Sequence, residues 1–441
     1  MSQEKALQEN IYDFISPSHI VFGWGRRREI GSLGSCLGKK AIWIQGSQTL
    51  TRSGIADSMK KMLRSAGVEI LGDISVTREP CVSDVDRATE LIQQVLNIGE
   101  KPEQSFEEWA AKVKEKTADV FVVALGGGSA IDMGKAVAAM TVNSRNQSVQ
   151  LFLEGVGTGE NLTVAPLPVL AIPTTAGTGA EATRNAVISS DPVDHDTETG
   201  GISVPAVSPN ASTDGSLKFK KSLRHNGLMP QIALVDPELT VSCSASVTAC
   251  CGMDAMTQLV ESFISNRAKP IPQALAIQGM GLIWNSLEVA IASPKNQDAR
   301  EQLSHAALLS GMCLANSGLG MAHGIAAALG IHANVPHGRA CGCLLPIALE
   351  TNKQKSMSEL SVLANFLLPP SRNYGVARVD EFIQRIKSIQ RNIGIEEKLS
   401  SLGVTQEQIP LIAQDSKGNS MNGNPRTLSE QEIIEILEKS M

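Results

Sequence analysis

Asp119-Val-Phe-Val-Val-Ala-Leu-Gly126-Gly-Gly-Ser-Ala-Ile-Asp132 joins an apolar run to three consecutive glycines and a helix-opening segment. The run shows no polar alternation, so it reads as a strand buried on both faces. The glycines let the backbone approach a ligand closely, and the helix N-terminus beyond them offers N–H groups to a pyrophosphate. The pattern is not G-x-G-x-x-G, and a tight strand–helix turn would also favour small residues. A second turn, Pro173-Thr-Thr-Ala-Gly-Thr-Gly-Ala-Glu181, follows a second apolar strand at 167–172. In open α/β sheets the carboxyl ends of strands form the ligand crevice. Two such turns point to a dinucleotide. The candidate cofactor-binding residues here are Gly126, Gly127, Gly128, Ser129, Asp132, Thr174, Thr175 and Thr178.

Outward from these turns, 41–45 and 69–74 read as further strands, and 55–66 and 85–96 as helices. Alternating strands and helices predict a doubly wound, mostly parallel sheet with helices on both faces. From about residue 239 the texture changes. The stretches 248–265, 272–293, 299–316, 320–331 and 428–440 carry Ala, Leu, Met and Ile at helical spacing. The expected organisation is therefore an α/β dinucleotide-binding domain over 1–238 and an all-α domain over 239–441. A polar segment at about 190–230 reads as an inserted loop or hairpin, and 100–118 as a charged surface insertion.

The 441 residues hold 39 Lys plus Arg against 45 Asp plus Glu, a net charge of −6, which disfavours a nucleic-acid partner. The N-terminus lacks an apolar signal core and no long apolar run appears, so a cytoplasmic protein without a membrane partner is expected. The eight cysteines form no Cys-x-x-Cys pair and read as reduced, structural thiols.

Gly252-Met-Asp-Ala-Met-Thr-Gln-Leu-Val-Glu261 places Asp254, Gln258 and Glu261 on one helix face. Further on, His323 and His337 stand in Gly318-Leu-Gly-Met-Ala-His323 and Val335-Pro-His-Gly338. Two neutral imidazoles and one carboxylate suit Zn²⁺ or Fe²⁺ and leave room for a substrate oxygen. Spacing alone also allows both histidines to be hydrogen-bonded core residues.

Taken together, these motifs resemble the iron-containing (group III) alcohol dehydrogenases, of dehydroquinate synthase-like fold. The resemblance runs through Phe14-Ile-Ser-Pro17, Phe22-Gly-Trp-Gly25, Gly126-Gly-Gly-Ser-Ala-Ile-Asp132, Pro173-Thr-Thr-Ala-Gly-Thr-Gly179, Asp236-Pro-Glu-Leu-Thr240, Gly252-Met-Asp-Ala-Met-Thr257, Asn316-Ser-Gly-Leu-Gly320 and Pro336-His-Gly338. It implies metal ligands at Asp254, His323 and His337. The family helix usually carries a fourth ligand, His, where this chain has Gln258, whose amide oxygen would be a weaker, uncharged metal ligand. A further family His is replaced by Ala327. An Asp-His-His set also resembles the zinc sites of glycerol dehydrogenases.

The resemblance implies reversible hydride transfer between a small alcohol or aldehyde and NAD(P)(H), aided by Fe²⁺ or Zn²⁺, in at least a homodimer. The Asp that in the family follows the second strand is matched by Gly46, next to Ser47. With no carboxylate to repel a 2′-phosphate, both positions become cofactor-binding candidates and NADP is expected over NAD. A metal-free maleylacetate-type reductase and a dehydroquinate synthase-like sugar-phosphate cyclase remain alternatives.

Overall fold

The computed structural model describes residues 11–46, 48–99, 105–191 and 218–441. The chain forms two compact units. One comprises 17–174 and 180–239; the other comprises 11–16, 175–179 and 240–441.

The strands are β1 (His19–Phe22), β2 (Lys40–Gln45), β3 (Glu69–Ser75), β4 (Val120–Gly126), β5 (Val169–Pro173), β6 (Asn185–Ser189), β7 (Lys220–Arg224) and β8 (Ile232–Val235). Six of them pair in parallel in the order β1-β8-β5-β4-β2-β3. Side-chain alternation splits the apolar runs between two cores. Ile42, Ile44, Val120, Val122, Ala124, Val169 and Ala171 face one core; Ala41, Trp43, Phe121, Val123, Leu125, Leu170 and Ile172 face the other. The second core is covered by α1 (Ile30–Leu37), α2 (Gln48–Arg52) and α3 (Ile55–Ser65). The first is covered by α4 (Val82–Leu96), α5 (Phe106–Thr117) and α6 (Gly128–Met140). This is the doubly wound sheet that the sequence predicts.

Helix α5 corrects the reading of 100–118 as a surface insertion; residues 100–104 of that segment lie outside the described ones. Trp109 and Val113, four residues apart, are fully buried, and the Trp109 indole N–H donates to the Ile98 carbonyl at 3.2 Å. The charges at 107, 108, 112 and 114–116 cover the remaining faces. Within 190–230, residues 192–217 lie outside the described ones, while β7 pairs antiparallel with β6. Two of the three basic residues of β7 meet acids: Lys220 reaches Glu79 at 2.7 Å and Arg224 reaches Glu154 at 2.8 Å.

The helical unit contains α7 (Ala245–Ile264), α8 (Pro270–Ala292), α9 (Gln297–Ser317), α10 (Met321–His332), α11 (His337–Asn352), α12 (Met357–Leu367), α13 (Val376–Asn392), α14 (Ile409–Asp415) and α15 (Glu430–Lys439). Side chains of Ser244, Asn296 and Ser429 accept backbone N–H bonds and cap α7, α9 and α15. One core joins α7, α8, α9, α12 and α13; another joins α10, α11, α14 and α15. Helix α8 is long and apolar enough to cross a membrane by length and composition. Its Ala276, Met280, Ile283, Leu287 and Ala290 are nevertheless buried in the first of these cores.

The five residues Thr175–Gly179 belong to the helical unit, although the expected division at 238/239 leaves them in the α/β domain. Glycine is the cause. A Cβ on Gly177 would stand 2.7 Å from Cys251 Cβ, and one on Gly179, at φ 60°, would stand 2.5 Å from the Ala307 carbonyl and the Gly311 nitrogen. The bare backbone therefore packs directly on α7 and α9.

Candidate active site

Gly126 ends β4 at φ 154°, a conformation side chains rarely adopt. A Cβ there would meet Ala130 Cβ at 2.6 Å and the Gly46 nitrogen at 2.9 Å. The chain thus turns sharply into α6, which starts from Gly127 without a side-chain cap. Its first N–H groups are left to an anion, which the helix dipole also favours. Gly127, Gly128 and Ser129 are each partly exposed. Gly46 lies beside them: its N–H donates to the Leu125 carbonyl at 2.8 Å. Ser47 lies outside the described residues.

Thr174 also joins this turn, its N–H donating to the Gly126 carbonyl at 2.9 Å. Thr175 and Thr178 are partly exposed in the segment that packs on α7 and α9. Asp132, one turn into α6, accepts from the Val187 N–H at 3.1 Å and holds β6. Burial pushes its pKa up to about 6.

In the helical unit the metal candidates converge. Asp254 on α7, His323 near the start of α10, and His337 and Cys341 on α11 each offer one donor atom, all within 4.8 Å of one another. Asp254 Oδ1 lies 3.2 Å from His323 Nε2 and 3.7 Å from His337 Nε2. The two imidazole rings are 5.5 Å apart. Asp254 and His323 are buried, while the His337 side chain keeps 28% of its exposure.

Glu261, one helical step beyond Gln258 on α7, fixes His323. Its carboxylate lies 2.7 Å from His323 Nδ1 and accepts N–H bonds from Gly320 and Ala322 at the start of α10. A proton on Nδ1 directed at Glu261 leaves the Nε2 lone pair facing Asp254. Two acceptors at that separation call for a metal cation or a proton between them. The same logic governs protonation. Burial alone would lower the His323 pKa, but the Cys341 sulfur and hydrogen bonds to Asp254 and Glu261 outweigh it and hold it well above the usual value. Burial would raise that of Asp254, yet the His323 hydrogen bond and both imidazoles hold it below the usual range.

Gln258 is already engaged: its Oε1 accepts from the Ser310 hydroxyl at 2.7 Å and its Nε2 donates to the Thr178 carbonyl at 3.3 Å. Cys341, read from sequence as a structural thiol, instead stands in the donor cluster, with Sγ 3.6 Å from His337 Nε2. Its signal was the four-residue spacing from His337, one helical turn. The donor set fits a divalent cation: carboxylate, two imidazoles and a thiol are first-row metal ligands, and the second carboxylate orients one of them.

Comparisons with known proteins agree. Residues 248–441 match the C-terminal domain of the Fe-containing alcohol dehydrogenase family, and residues 94–213 match iron-containing alcohol dehydrogenase. Alcohol dehydrogenase 4 of Saccharomyces cerevisiae is 30% identical over 333 residues, covering 74% of this chain and 77% of the yeast protein. The NAD-dependent methanol dehydrogenase of Bacillus methanolicus is 27% identical over 431 residues, covering 97% of this chain and 100% of its own. A crystal structure of 1,3-propanediol oxidoreductase superposes with a TM-score of 0.77 at 28% identity, covering 98% of this chain and 100% of that one. The chain belongs to the iron-containing alcohol dehydrogenase family.

Proposed function

We propose that this chain is a metal-dependent NAD(P)(H) alcohol dehydrogenase or aldehyde reductase acting on small alcohols or aldehydes. The observation that carries the reading is the convergence of Asp254, His323 and His337, with His323 oriented by Glu261. A divalent cation held there supplies Lewis acidity to the substrate oxygen. A bound nicotinamide would supply or take up the hydride, and the protein would hold and orient it. Gly126 to Ser129 and Thr174 receive the pyrophosphate at the start of α6. Ala327 offers no proton-carrying group, so solvent or a ribose hydroxyl takes the alcohol proton. The maleylacetate-type and cyclase readings gain no support from the relatives.

Within this reading we infer NADP(H) as the preferred cofactor, because neither Gly46 nor Ser47 brings a carboxylate to the end of β2. Oxidation of NADPH by a panel of short aldehydes, alongside elemental analysis, tests the function. About one zinc or iron per chain is expected, with turnover lost on chelation and restored by the metal. Full turnover after complete metal removal would replace this reading with a metal-free reductase.

A further inference from the structure

Three donors on α7, α10 and α11 make a metal site; the fourth atom of the cluster is a sulfur. Cys341 is buried one turn beyond His337, and its Sγ faces the same small space as the Asp254 carboxylate and both imidazoles. With metal–nitrogen and metal–oxygen bonds near 2.0–2.1 Å and metal–sulfur near 2.3 Å, the edges of a tetrahedral shell are roughly 3.3–3.6 Å. Three of the six donor separations are close to that size, and all six are within 4.8 Å. Asp254 to His323 is 3.2 Å, Asp254 to His337 is 3.7 Å, and His337 to Cys341 is 3.6 Å. Gln258 does not compete for the position, since both ends of its amide already bond to Ser310 and Thr178.

The geometry points to Cys341 as a fourth protein ligand of the metal, binding through its thiolate and turning the site towards thiophilic cations such as zinc. The assignment rests on the metal reading proposed above. On binding, the thiol proton is released to solvent and the sulfur lone pair is donated to the cation, with no change of oxidation state. A soft thiolate beside two imidazoles and one carboxylate suits zinc better than an all-oxygen and nitrogen set does. With four protein donors, a substrate oxygen would have to add as a fifth ligand or displace one of the four, as catalytic zinc sites allow.

Cobalt substitution tests this without reference to turnover. The full-length protein, stripped with chelator and reloaded with Co²⁺, is expected to show sulfur-to-cobalt charge-transfer absorption in the near ultraviolet. In Cys341→Ser that band disappears while cobalt still binds through the other three ligands, and zinc affinity, measured against a competing chelator, falls at least about tenfold. Cys250→Ser, which alters a thiol next to Asp254 in space but outside the donor cluster, retains the band. Stoichiometric cobalt without the band in the parent protein, or a band that survives Cys341→Ser, overturns the assignment and leaves the three-ligand site intact. Failure of the parent protein to bind cobalt or zinc at all overturns both the metal reading and the ligand assignment.

Discussion

At Gly46 the lack of a side chain decides what can sit beyond β2. A Cβ there would stand 3.2 Å from Ala130 Cβ and 3.5 Å from Gly126 Cα, directly against the glycine turn. A carboxylate introduced at this position would face the ribose end of a bound dinucleotide and repel a 2′-phosphate. Gly46→Asp is therefore expected to weaken NADPH binding by tenfold or more, about 1.4 kcal/mol, and to shift preference towards NADH. Gly46→Asn, of equal size and no charge, should keep the parent preference. Dissociation constants for both dinucleotides, from nicotinamide fluorescence, provide the check. An unchanged NADPH-to-NADH ratio in Gly46→Asp would show that this position does not face the ribose. Single residues also mark where the sequence was hard to read. Asp254, His323 and His337 stood out by type and by family pattern, whereas Cys341 did not. Its link to His337 exists only if 337–352 is a helix, and Gly338, Gly342 and Pro346 break the helical pattern there. Without the helix, the four-residue spacing carries no meaning.

Elements with long apolar runs were legible, and short or sparsely apolar ones were not. Strands β2, β4 and β5 carry continuous hydrophobic runs, while β1 and β8 span only four residues each and offer little periodicity. Helix α5 hid because two apolar anchors in twelve residues suffice when one is Trp109. Around α6 a buried charge cluster could not be read at all, because its members are brought together only by the fold. Lys135 donates to the Thr183 carbonyl at 2.8 Å, the Thr183 hydroxyl at 2.7 Å and the Asn185 carbonyl at 3.1 Å, tying α6 to β6. Burial lowers the Lys135 pKa to about 8, with Asp132 and Glu181 opposing the shift. Burial raises that of Glu181 to about 7, moderated by its own backbone N–H and Lys135. The folded pKa of Glu181 thus exceeds its value of 4.5 in the unfolded chain, so the folded state binds more protons between those limits. Its contribution to stability falls as pH rises from 4.5 through 7, and the penalty is fully present above 7. Glu181→Gln removes that penalty. The variant should match the parent near pH 4.5 and exceed it at pH 8 by on the order of 1–3 kcal/mol in denaturant titrations. A stability difference that is the same at both pH values would show that Glu181 ionises in the folded protein as it does in the unfolded chain.

Across the whole molecule the candidate binding residues divide between the two compact units. Gly46, Gly126 to Ser129 and Thr174 belong to the α/β unit, while the metal candidates Asp254, His323, His337 and Cys341 belong to the helical one, as do the cofactor candidates Thr175 and Thr178. Each unit has cores of its own, two faces of one sheet in the first and two helix clusters in the second. A ligand stabilises only the structure whose folded state it binds, by about 2.7 kcal/mol at a hundredfold excess over its dissociation constant. If the units open independently, zinc and dinucleotide must leave different marks on amide exchange. Zinc should slow exchange roughly 100-fold in the most protected amides of α7, α10 and α11, with β4 and α6 unchanged. NADPH should do the reverse, protecting the end of β4 and the first turns of α6. Hydrogen–deuterium exchange of the apoprotein, the zinc form and the NADPH form separates the cases. Equal protection of both units by either ligand would mean that the chain unfolds as one cooperative body. Zinc that binds yet protects none of the three helices would place the metal elsewhere than at Asp254, His323 and His337.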